Sequence, residues 1–194
     1  MSDTEFEELL GAWYPPGPRT EPARWEDAAF NNPAQPVVGV SWHEAHAYCQ
    51  WLSTQTGETF ALPTEAQWEA AARGLGARRY AFGKDFDAAL CNTFETHIRR
   101  TTPIGVFPGG DTPEGSVDMS GNTWDWTGTL YRPYPYDAGD GREEPLSGKG
   151  RRVVRGGSWD YSQYDARAAY RVNHVPGLRY GSLGLRVVCL SPIA

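Results

Sequence analysis

The most nucleophilic side chains of this sequence are its three cysteines, Cys49, Cys91 and Cys189. Paired thiolates could bind a soft metal ion or form a disulfide bond. The number is odd, however, and no two cysteines have CxxC spacing, so neither a disulfide framework nor a zinc site is favoured. We expect buried, reduced thiols that act as small hydrophobic side chains.

Two histidines, His43 and His46, lie three residues apart and could ligate a metal ion. No third ligand is near them in the sequence, so exposed or capping roles are favoured. Gly156-Gly157-Ser158 lacks the GxSxG elbow of a nucleophilic serine and is interpreted as a strand turn. Gly74-Leu75-Gly76 is interpreted as a helix end, because a phosphate-binding loop would follow a strand and open a helix.

The C-terminal residues 153–189 alternate between two kinds of position. The first kind forms a regular frame, which includes Arg155-Gly156-Gly157-Ser158-Trp159 and residues 183–188. The second kind, which we call the interspersed residues, shares no polarity. The interspersed residues are Asp160, Tyr161, Ser162, Tyr164, Asp165, Tyr170, Val172, Asn173, His174, Val175, Leu178, Tyr180, Gly181 and Ser182. Most of them are of types that are typical of paratopes, namely Tyr, Ser, Asp, Asn, His and Gly. This pattern therefore predicts a binding surface rather than a reaction centre.

Composition limits the class of protein and of partner. A chain of 194 residues with 40% hydrophobic and 13% aromatic residues predicts one globular domain over residues 1–194. The 22 glycines and 15 prolines favour loops and short strands. A net charge of −6 without a basic tract argues against a nucleic-acid partner. We find neither a membrane-spanning apolar run nor a signal peptide, and expect a cytoplasmic domain or one displayed within a larger assembly.

Two helices must position these residues, and both have clear start signals. Ser41 and Glu44 form a predicted capping box before an apolar repeat that ends at Gly57. Thr64 and Gln67 form a second box, which opens a helix that ends at Gly74.

Outside the two helices, the sequence predicts loops and short strands. Residues 1–40 are expected to be irregular apart from one short amphipathic stretch, and residues 75–150 are rich in turn signals. Strands are predicted at 152–159, 166–172 and 183–190, where turn residues between them favour antiparallel pairing. This order indicates an α+β fold.

Several motifs, in one order, resemble the formylglycine-generating-enzyme (sulfatase-modifying-factor) family. The motifs are PVVGVSW at 36–42, AYCQWL at 47–52, LPTEAQWE at 62–69, MSGNTWDW at 119–126 and RGGSW at 155–159. The resemblance covers most of residues 25–190. It implies a C-type-lectin-like fold in a loop-rich form, with two helices and short antiparallel sheets. The family's usual first strand is missing from the sequence, which indicates a fragment or a member with an altered start.

The activity of that family is not expected here. The resembling oxidase holds copper between two cysteines just after the Gly-Gly-Ser segment, and paired thiolates are what a cuprous ion requires. Here the matching residues 159–167 contain no cysteine, and Cys189 falls in the closing strand, where it is interpreted as a core residue. We therefore predict no catalytic residue of that type and no required cofactor.

The fold also resembles the variable proteins of diversity-generating retroelements, whose C-terminal strands and loops are mutagenised at adenines. Asn codons of the AAY type cannot change in this way into Lys, Glu, Gln, Met or Trp codons. All fourteen interspersed residues obey that exclusion, whereas the frame contains Gln163 and Trp159. The resemblance implies a non-catalytic protein that binds a protein or other macromolecular ligand through a variable region at 153–189.

Within that region, Tyr161, Tyr164, Tyr170 and Tyr180 are expected to be the main contacts, because tyrosines often dominate binding energy. We expect polar selectivity from four further positions and side chains that mostly point to solvent. The four positions are Asp160, Asp165, Asn173 and His174. The alternatives are an ordinary family member that acts as an oxidase with another metal arrangement, or a structural or regulatory module fused to a signalling domain such as a kinase.

The resemblance also implies a candidate calcium site at Asp118, Gly121, Thr123 and Asp125, since oxygen ligands in a tight turn suit calcium. The alternative is that Asp118 and Asp125 form turns or pair with arginine. Asn92 and Thr93 could begin a second site, but the acidic ligand expected downstream is missing. Four arginines of the closing strands are expected to pair with acids beneath the surface and keep it rigid. They are Arg155, Arg167, Arg171 and Arg186.

Overall fold

The computed structural model describes residues 3–13, 17, 19–144 and 150–191. The helices are α1 (Asp3–Trp13), α2 (Trp42–Thr56) and α3 (Glu65–Arg73), with 3₁₀ turns at Phe94–Thr96 and Pro108–Gly110. The strands are β1 (Phe60–Ala61), β2 (Trp124–Leu130), β3 (Arg152–Arg155), β4 (Arg171–His174), β5 (Leu183–Leu185) and β6 (Val188–Cys189). α1 coincides with the amphipathic stretch, so part of the predicted irregular N-terminal region is helical. None of the helices in these ranges is long and apolar enough to cross a membrane.

Local capping chemistry places α2 and α3 where the sequence predicted them. The Ser41 hydroxyl accepts a hydrogen bond from the backbone N–H of Glu44, whose carboxylate accepts from the Ser41 N–H at 2.8 Å. Thr64 and Gln67 make the same reciprocal pair at α3. Gly57 ends α2 with a φ of 78°, a left-handed conformation that favours glycine. Both predicted capping boxes are confirmed.

The main sheet has four strands in the order β4-β3-β2-β5. β3 pairs antiparallel with β4, as predicted, and also with β2, a strand that the sequence did not predict, whereas β5 runs parallel to β2. The sheet is therefore mixed, and the expectation of purely antiparallel pairing is wrong. Residues 166–170 form turns rather than a strand, so β4 begins only at Arg171. β1 and β6 form a separate antiparallel pair.

The two faces of this sheet pack against different helices because strand side chains alternate between faces. Trp124 and Trp126 lie on one face, in a core cluster that includes Trp42 and Ala45 of α2. Trp68 and Ala72 of α3 belong to a second cluster. On the second face, Asp125 pairs in register with Arg155, and Arg155 with Arg171. One face is thus apolar, and the other carries a row of charged groups.

The cysteines lie on separate elements. Cys49 of α2 and Cys91 are buried, and burial raises the pKa of the Cys49 thiol to about 11 and that of Cys91 to about 12. Both remain protonated at neutral pH, as expected of small core residues. Cys189 is exposed at the edge of the β1–β6 pair, so the prediction that it belongs to the core is wrong.

Candidate functional site

The interspersed residues divide into three groups by burial. Four are exposed: Asp160, Tyr161, Tyr164 and Tyr180. Seven are intermediate: Ser162, Asp165, Tyr170, Val172, Asn173, His174 and Gly181. Three are buried: Val175, Leu178 and Ser182. We call the first two groups, eleven residues in all, the C-terminal face.

The buried group contradicts the expectation that these side chains point to solvent. Val175 and Leu178 are 2% and 0% exposed and belong to the core cluster on the apolar face of the main sheet, which includes Trp124 and Trp126. The backbone carbonyl of Ser182 accepts a hydrogen bond from the Trp124 N–H at 2.8 Å, which brings the start of β5 to β2. These three positions support the fold because they fill or connect the core beneath the loops.

An aromatic cluster organises the C-terminal face above β2. The ring centroid of Trp124 lies 5.4 Å from that of Tyr161 and 6.2 Å from that of Tyr170. Two residues along β2, Trp126 makes an edge contact at 6.5 Å with His174, which in turn lies 6.2 Å from Tyr180. Such contacts favour fixed ring orientations. The two tryptophans therefore bring residues from three separate loop and strand segments onto one surface.

Burial sets the ionisation of the C-terminal face. It lowers the pKa of His174 to about 4, with Arg151 acting in the same direction, so the imidazole is neutral at pH 7. Burial also raises the pKa of Tyr161 and of Tyr170, and Asp160 and Asp165 respectively add to this effect. Both phenols are protonated at neutral pH, where the Tyr170 hydroxyl bonds to the Asp165 carboxylate and the Tyr161 hydroxyl can donate a hydrogen bond to a ligand.

Short polar contacts order the loop that carries Tyr161 and Tyr164. Asp160 accepts a hydrogen bond from the Ser158 hydroxyl at 2.6 Å, and Asp165 accepts one from Ser162 at 2.9 Å. The Gly156-Gly157 turn brings this loop back over the sheet, and a Cβ at Gly157 would lie 2.8 Å from the Ala166 Cα. Close approach therefore requires glycine here, and the predicted strand turn is confirmed.

Two residues that the sequence did not single out hold the same loop from outside. The Phe94 N–H donates to the Tyr161 carbonyl at 2.9 Å, and the Glu95 carboxylate accepts from the Gln163 N–H at 2.9 Å. Both belong to the 3₁₀ turn Phe94–Thr96, far away in the chain. No local pattern identifies such contacts, because they depend on tertiary placement.

Arginine–carboxylate pairs lie beneath the C-terminal face. Arg155 is fully buried and lies 2.9 Å from Glu65 and 2.5 Å from Glu69, both on α3. Arg171 of β4 contacts the same Glu65 carboxylate at 2.6 Å. One helix is thereby tied to two strands through charge-assisted hydrogen bonds. The predicted pairing with buried acids is confirmed for both arginines.

The other two arginines behave differently from each other. Arg186 donates from Nε to Asp125 at 2.6 Å, as predicted. Arg167 donates from Nε to the Tyr164 carbonyl at 2.6 Å and lies over the Tyr170 ring at 5.5 Å, with no carboxylate partner among the described residues. The acid-pairing expectation is wrong for Arg167, because the acids of α3 are already engaged by other arginines.

The candidate calcium ligands fit a cation poorly. The Asp125 carboxylate accepts hydrogen bonds from Trp68 Nε1 at 2.8 Å and from Arg186 Nε at 2.6 Å. Arg186 Nη2 also lies 3.3 Å from the Asp118 carbonyl. A guanidinium among these oxygens repels a further cation. Asp125 thus fits the alternative interpretation, in which this carboxylate pairs with an arginine. The carbonyl of Gly121, another candidate ligand, already accepts a hydrogen bond from the Thr123 N–H.

No other metal centre is evident in the described ranges. They contain no group of three or more His, Cys, Asp or Glu side chains suited to a metal ion. His43 is exposed, and His46 stacks on Trp42 with ring centroids 5.0 Å apart. The paired thiolates required by a copper oxidase are missing from residues 159–167, where the sequence has no cysteine.

Three curated proteins with similar sequences include active and inactive relatives. Serine/threonine-protein kinase pkn1 of Chlamydia pneumoniae is 35% identical over 157 residues, which cover 78% of this chain and 23% of the kinase. Inactive C-alpha-formylglycine-generating enzyme 2 of Mus musculus is 30% identical over a stretch that covers 90% of this chain and 56% of that protein. Formylglycine-generating enzyme of Streptomyces coelicolor is 34% identical over a stretch that covers 79% of this chain and 52% of that enzyme. The chain thus spans from about a quarter to about half of the length of these relatives.

Structural comparison establishes the fold. The structure of Treponema denticola variable protein 1 matches with a TM-score of 0.70 and 24% identity, covering 94% of this chain and 80% of that one. This likeness confirms the predicted α+β, C-type-lectin-like class. A family model described as "Sulfatase-modifying factor enzyme 1-like domain" matches residues 4–190. The chain therefore belongs to the sulfatase-modifying factor enzyme 1-like domain family.

Proposed function

We propose that this domain is a non-catalytic binding protein that contacts a protein or other macromolecular ligand through its C-terminal face. The observation that carries the proposal is the exposure of Tyr161, Tyr164 and Tyr180, at 40%, 61% and 38%, above a rigid, charge-paired sheet. Large aromatic side chains left in solvent on a rigid support suit an interface, because ordering them on binding costs little entropy.

The mixture of residue types on the C-terminal face supports diversification by a retroelement. None of its eleven members is Lys, Glu, Gln, Met or Trp, the types that adenine mutagenesis of AAY codons cannot produce. The frame residues between them have structural tasks, since Arg155 and Arg171 bind Glu65 and Gly157 permits the turn. Variation at the face leaves these tasks intact. Val175, Leu178 and Ser182 are excluded from the proposed ligand contacts because they are buried.

An oxidase of the family type is disfavoured by the chemistry of the available thiols. Cys49 and Cys91 are buried with raised pKa values, and Cys189 lies apart in β6. A cuprous ion needs two neighbouring thiolates, and these three residues lie on different elements. The family includes a relative named as an inactive enzyme, so loss of catalysis within this fold has precedent.

The direct test of diversification is the nucleotide sequence of the gene's 3′ end. We expect a near-copy in the same genome that differs at adenines in codons of the C-terminal face, with a reverse-transcriptase gene nearby. Codons for Leu178 and Val175 should be unchanged or carry conservative differences, because both side chains fill the core. Differences spread evenly over frame and face codons, or no near-copy at all, would contradict diversification.

Binding capacity is tested separately by display of a library. Tyr161, Tyr164 and Tyr180 are randomised together, and the library is selected against an unrelated folded protein. The matched control randomises Tyr48 and Trp51, which are also exposed aromatics, but on α2. We expect specific binders from the face library only. Equal recovery from both libraries would show that the face has no special role.

A further inference from the structure

A cavity of about 400 Å³ lies between the end of α3 and the turn segment that precedes β4. Every charged residue that lines it is an arginine: Arg73, Arg79, Arg167 and Arg171. Ala77 and Ala169 are small and leave the space open, and Tyr170 forms the border with the C-terminal face. An all-arginine lining is unusual for a chain whose net charge is −6.

The carboxylates of the neighbouring α3 pair with two of these arginines, Arg73 and Arg171, but do not neutralise the whole cluster. Glu65 contacts Arg155 and Arg171, and Glu69 contacts Arg155 and Arg73. Two carboxylates therefore pair with three guanidinium groups, and Arg79 and Arg167 add two further positive charges. Asp165 shares a hydrogen bond with Tyr170 but does not line the cavity. The local charge is positive, and the cavity attracts anions.

Several guanidinium N–H groups at the cavity have no acceptor in the described part of the chain. The Arg79 side chain is exposed and lies over the ring of Tyr80 at 5.7 Å, and its guanidinium makes no hydrogen bond or ion pair with the described residues. Arg167 uses only Nε in its hydrogen bond to Tyr164, and Arg73 Nε is buried without an acceptor. Arg79 and Arg167 both line the same cavity, although they belong to separate segments of the chain.

We infer that this cavity is a second binding site, distinct from the C-terminal face, for an oxyanion of the carboxylate or phosphate class. Guanidinium groups match such anions with two parallel N–H donors each, and the site supplies unused donors on at least two arginines. The inference does not depend on diversification of the C-terminal face, since the arginines belong to the frame or to α3 and its following loop.

The test is titration calorimetry on the whole chain at low ionic strength with two probes, a hexaglutamate peptide and inorganic pyrophosphate. Arg79→Glu reverses one charge at the cavity without removing a hydrogen bond, so the fold should persist. Arg100→Glu makes the same charge change at an exposed arginine that does not line the cavity. We expect Arg79→Glu to weaken binding by about tenfold or more and Arg100→Glu to change it by less than about twofold.

The two probes identify the source of the anion. Binding of hexaglutamate alone indicates an acidic segment of a protein, and binding of pyrophosphate alone indicates a phosphate-bearing small molecule; either supports the site. A triple Ser variant of Tyr161, Tyr164 and Tyr180 should bind the same probe as the wild-type chain does, which separates this site from the C-terminal face. Failure of both probes to bind, or equal weakening by the two charge reversals, would overturn the inference.

Discussion

At the scale of single residues, the interspersed positions differ in how much of the fold depends on them. Leu178 is 0% exposed in the core cluster of the first sheet face, whereas Tyr164 is 61% exposed and extends into solvent. Both types of residue are compatible with adenine mutagenesis. Their side chains nevertheless make very different contributions to folding, because apolar burial dominates stability.

Truncating these two side chains should separate their roles. Leu178→Ala removes buried methyl groups and leaves a cavity, so we expect the free energy of unfolding to fall by roughly 2–5 kcal/mol. Tyr164→Ala removes only exposed surface and should change it by less than about 0.5 kcal/mol. Urea denaturation followed by tryptophan fluorescence measures both. Similar losses in the two variants would show that Tyr164 supports the fold and is not a free contact residue.

Sequence reasoning placed Val175 and Leu178 on the surface for an identifiable reason. The exclusion of five residue types concerns codons only, and Val and Leu pass it wherever their side chains lie. The segment between β4 and β5 has no strand or helix period that would mark an inward position. Only the packing of this loop against Trp42 and Trp126 assigns its apolar residues to the core.

The contact between Arg186 and Asp125 leads to a prediction about calcium. Because the guanidinium already neutralises this carboxylate, removal of divalent ions with a chelator should change the melting temperature by no more than about 1 °C. Loss of about 1 kcal/mol of folding free energy would lower the melting temperature by several times that amount. Thermal unfolding with chelator and with added calcium measures this directly. A calcium-dependent rise in the wild-type chain that Asp118→Asn abolishes would instead establish a calcium site.

At the scale of elements, Glu65 is the link between α3 and the sheet. Its carboxylate is 1% exposed and contacts Arg155 of β3 and Arg171 of β4. Loss of this charge leaves Arg171 without a carboxylate partner and the fully buried Arg155 with Glu69 alone. β4 would then lose its ion pair with the helix.

We expect Glu65→Gln to lower the free energy of unfolding by roughly 3–5 kcal/mol, since breaking a buried ion pair leaves an uncompensated charge. The matched control is Glu114→Gln, which removes the carboxylate of an exposed pair with Arg78 and should cost no more than about 1 kcal/mol. Chemical denaturation of both variants provides the comparison. A loss below about 1 kcal/mol for Glu65→Gln would mean that the network does not hold α3.

Elements with local signals were predicted well, and those with distant partners were not. The capping residues of α2 and α3 lie within four positions of one another, so the sequence alone indicates both starts. β2 was missed within a turn-rich region because its partners, β3 and β5, follow much later in the chain. The parallel pairing of β5 was unpredictable for the same reason, as strand direction is set by topology.

At the scale of the whole molecule, folding should depend on pH through its half-buried histidines. In the unfolded chain a histidine has a pKa near 6.5, whereas that of His174 is about 4 in the fold because burial disfavours the imidazolium. Between these values the unfolded state binds more protons than the folded state. Stability is therefore complete above about pH 6.5, falls as the pH decreases towards 4, and falls no further from this source below that.

Replacing the histidine isolates its share of this pH dependence. His174→Asn keeps a type that the C-terminal face accepts, removes the titrating group, and should reduce the loss of stability between pH 7 and pH 5 by on the order of 1–2 kcal/mol. His46, whose pKa is also lowered by burial, remains in both chains and cancels in the comparison. The pKa of Glu69 is lowered in the fold, so this carboxylate loses its contribution to stability only at the more acidic pH values where carboxylates become protonated. Denaturant midpoints at several pH values measure the difference, and parallel curves for the two proteins would show that His174 titrates normally and is not packed against Trp126.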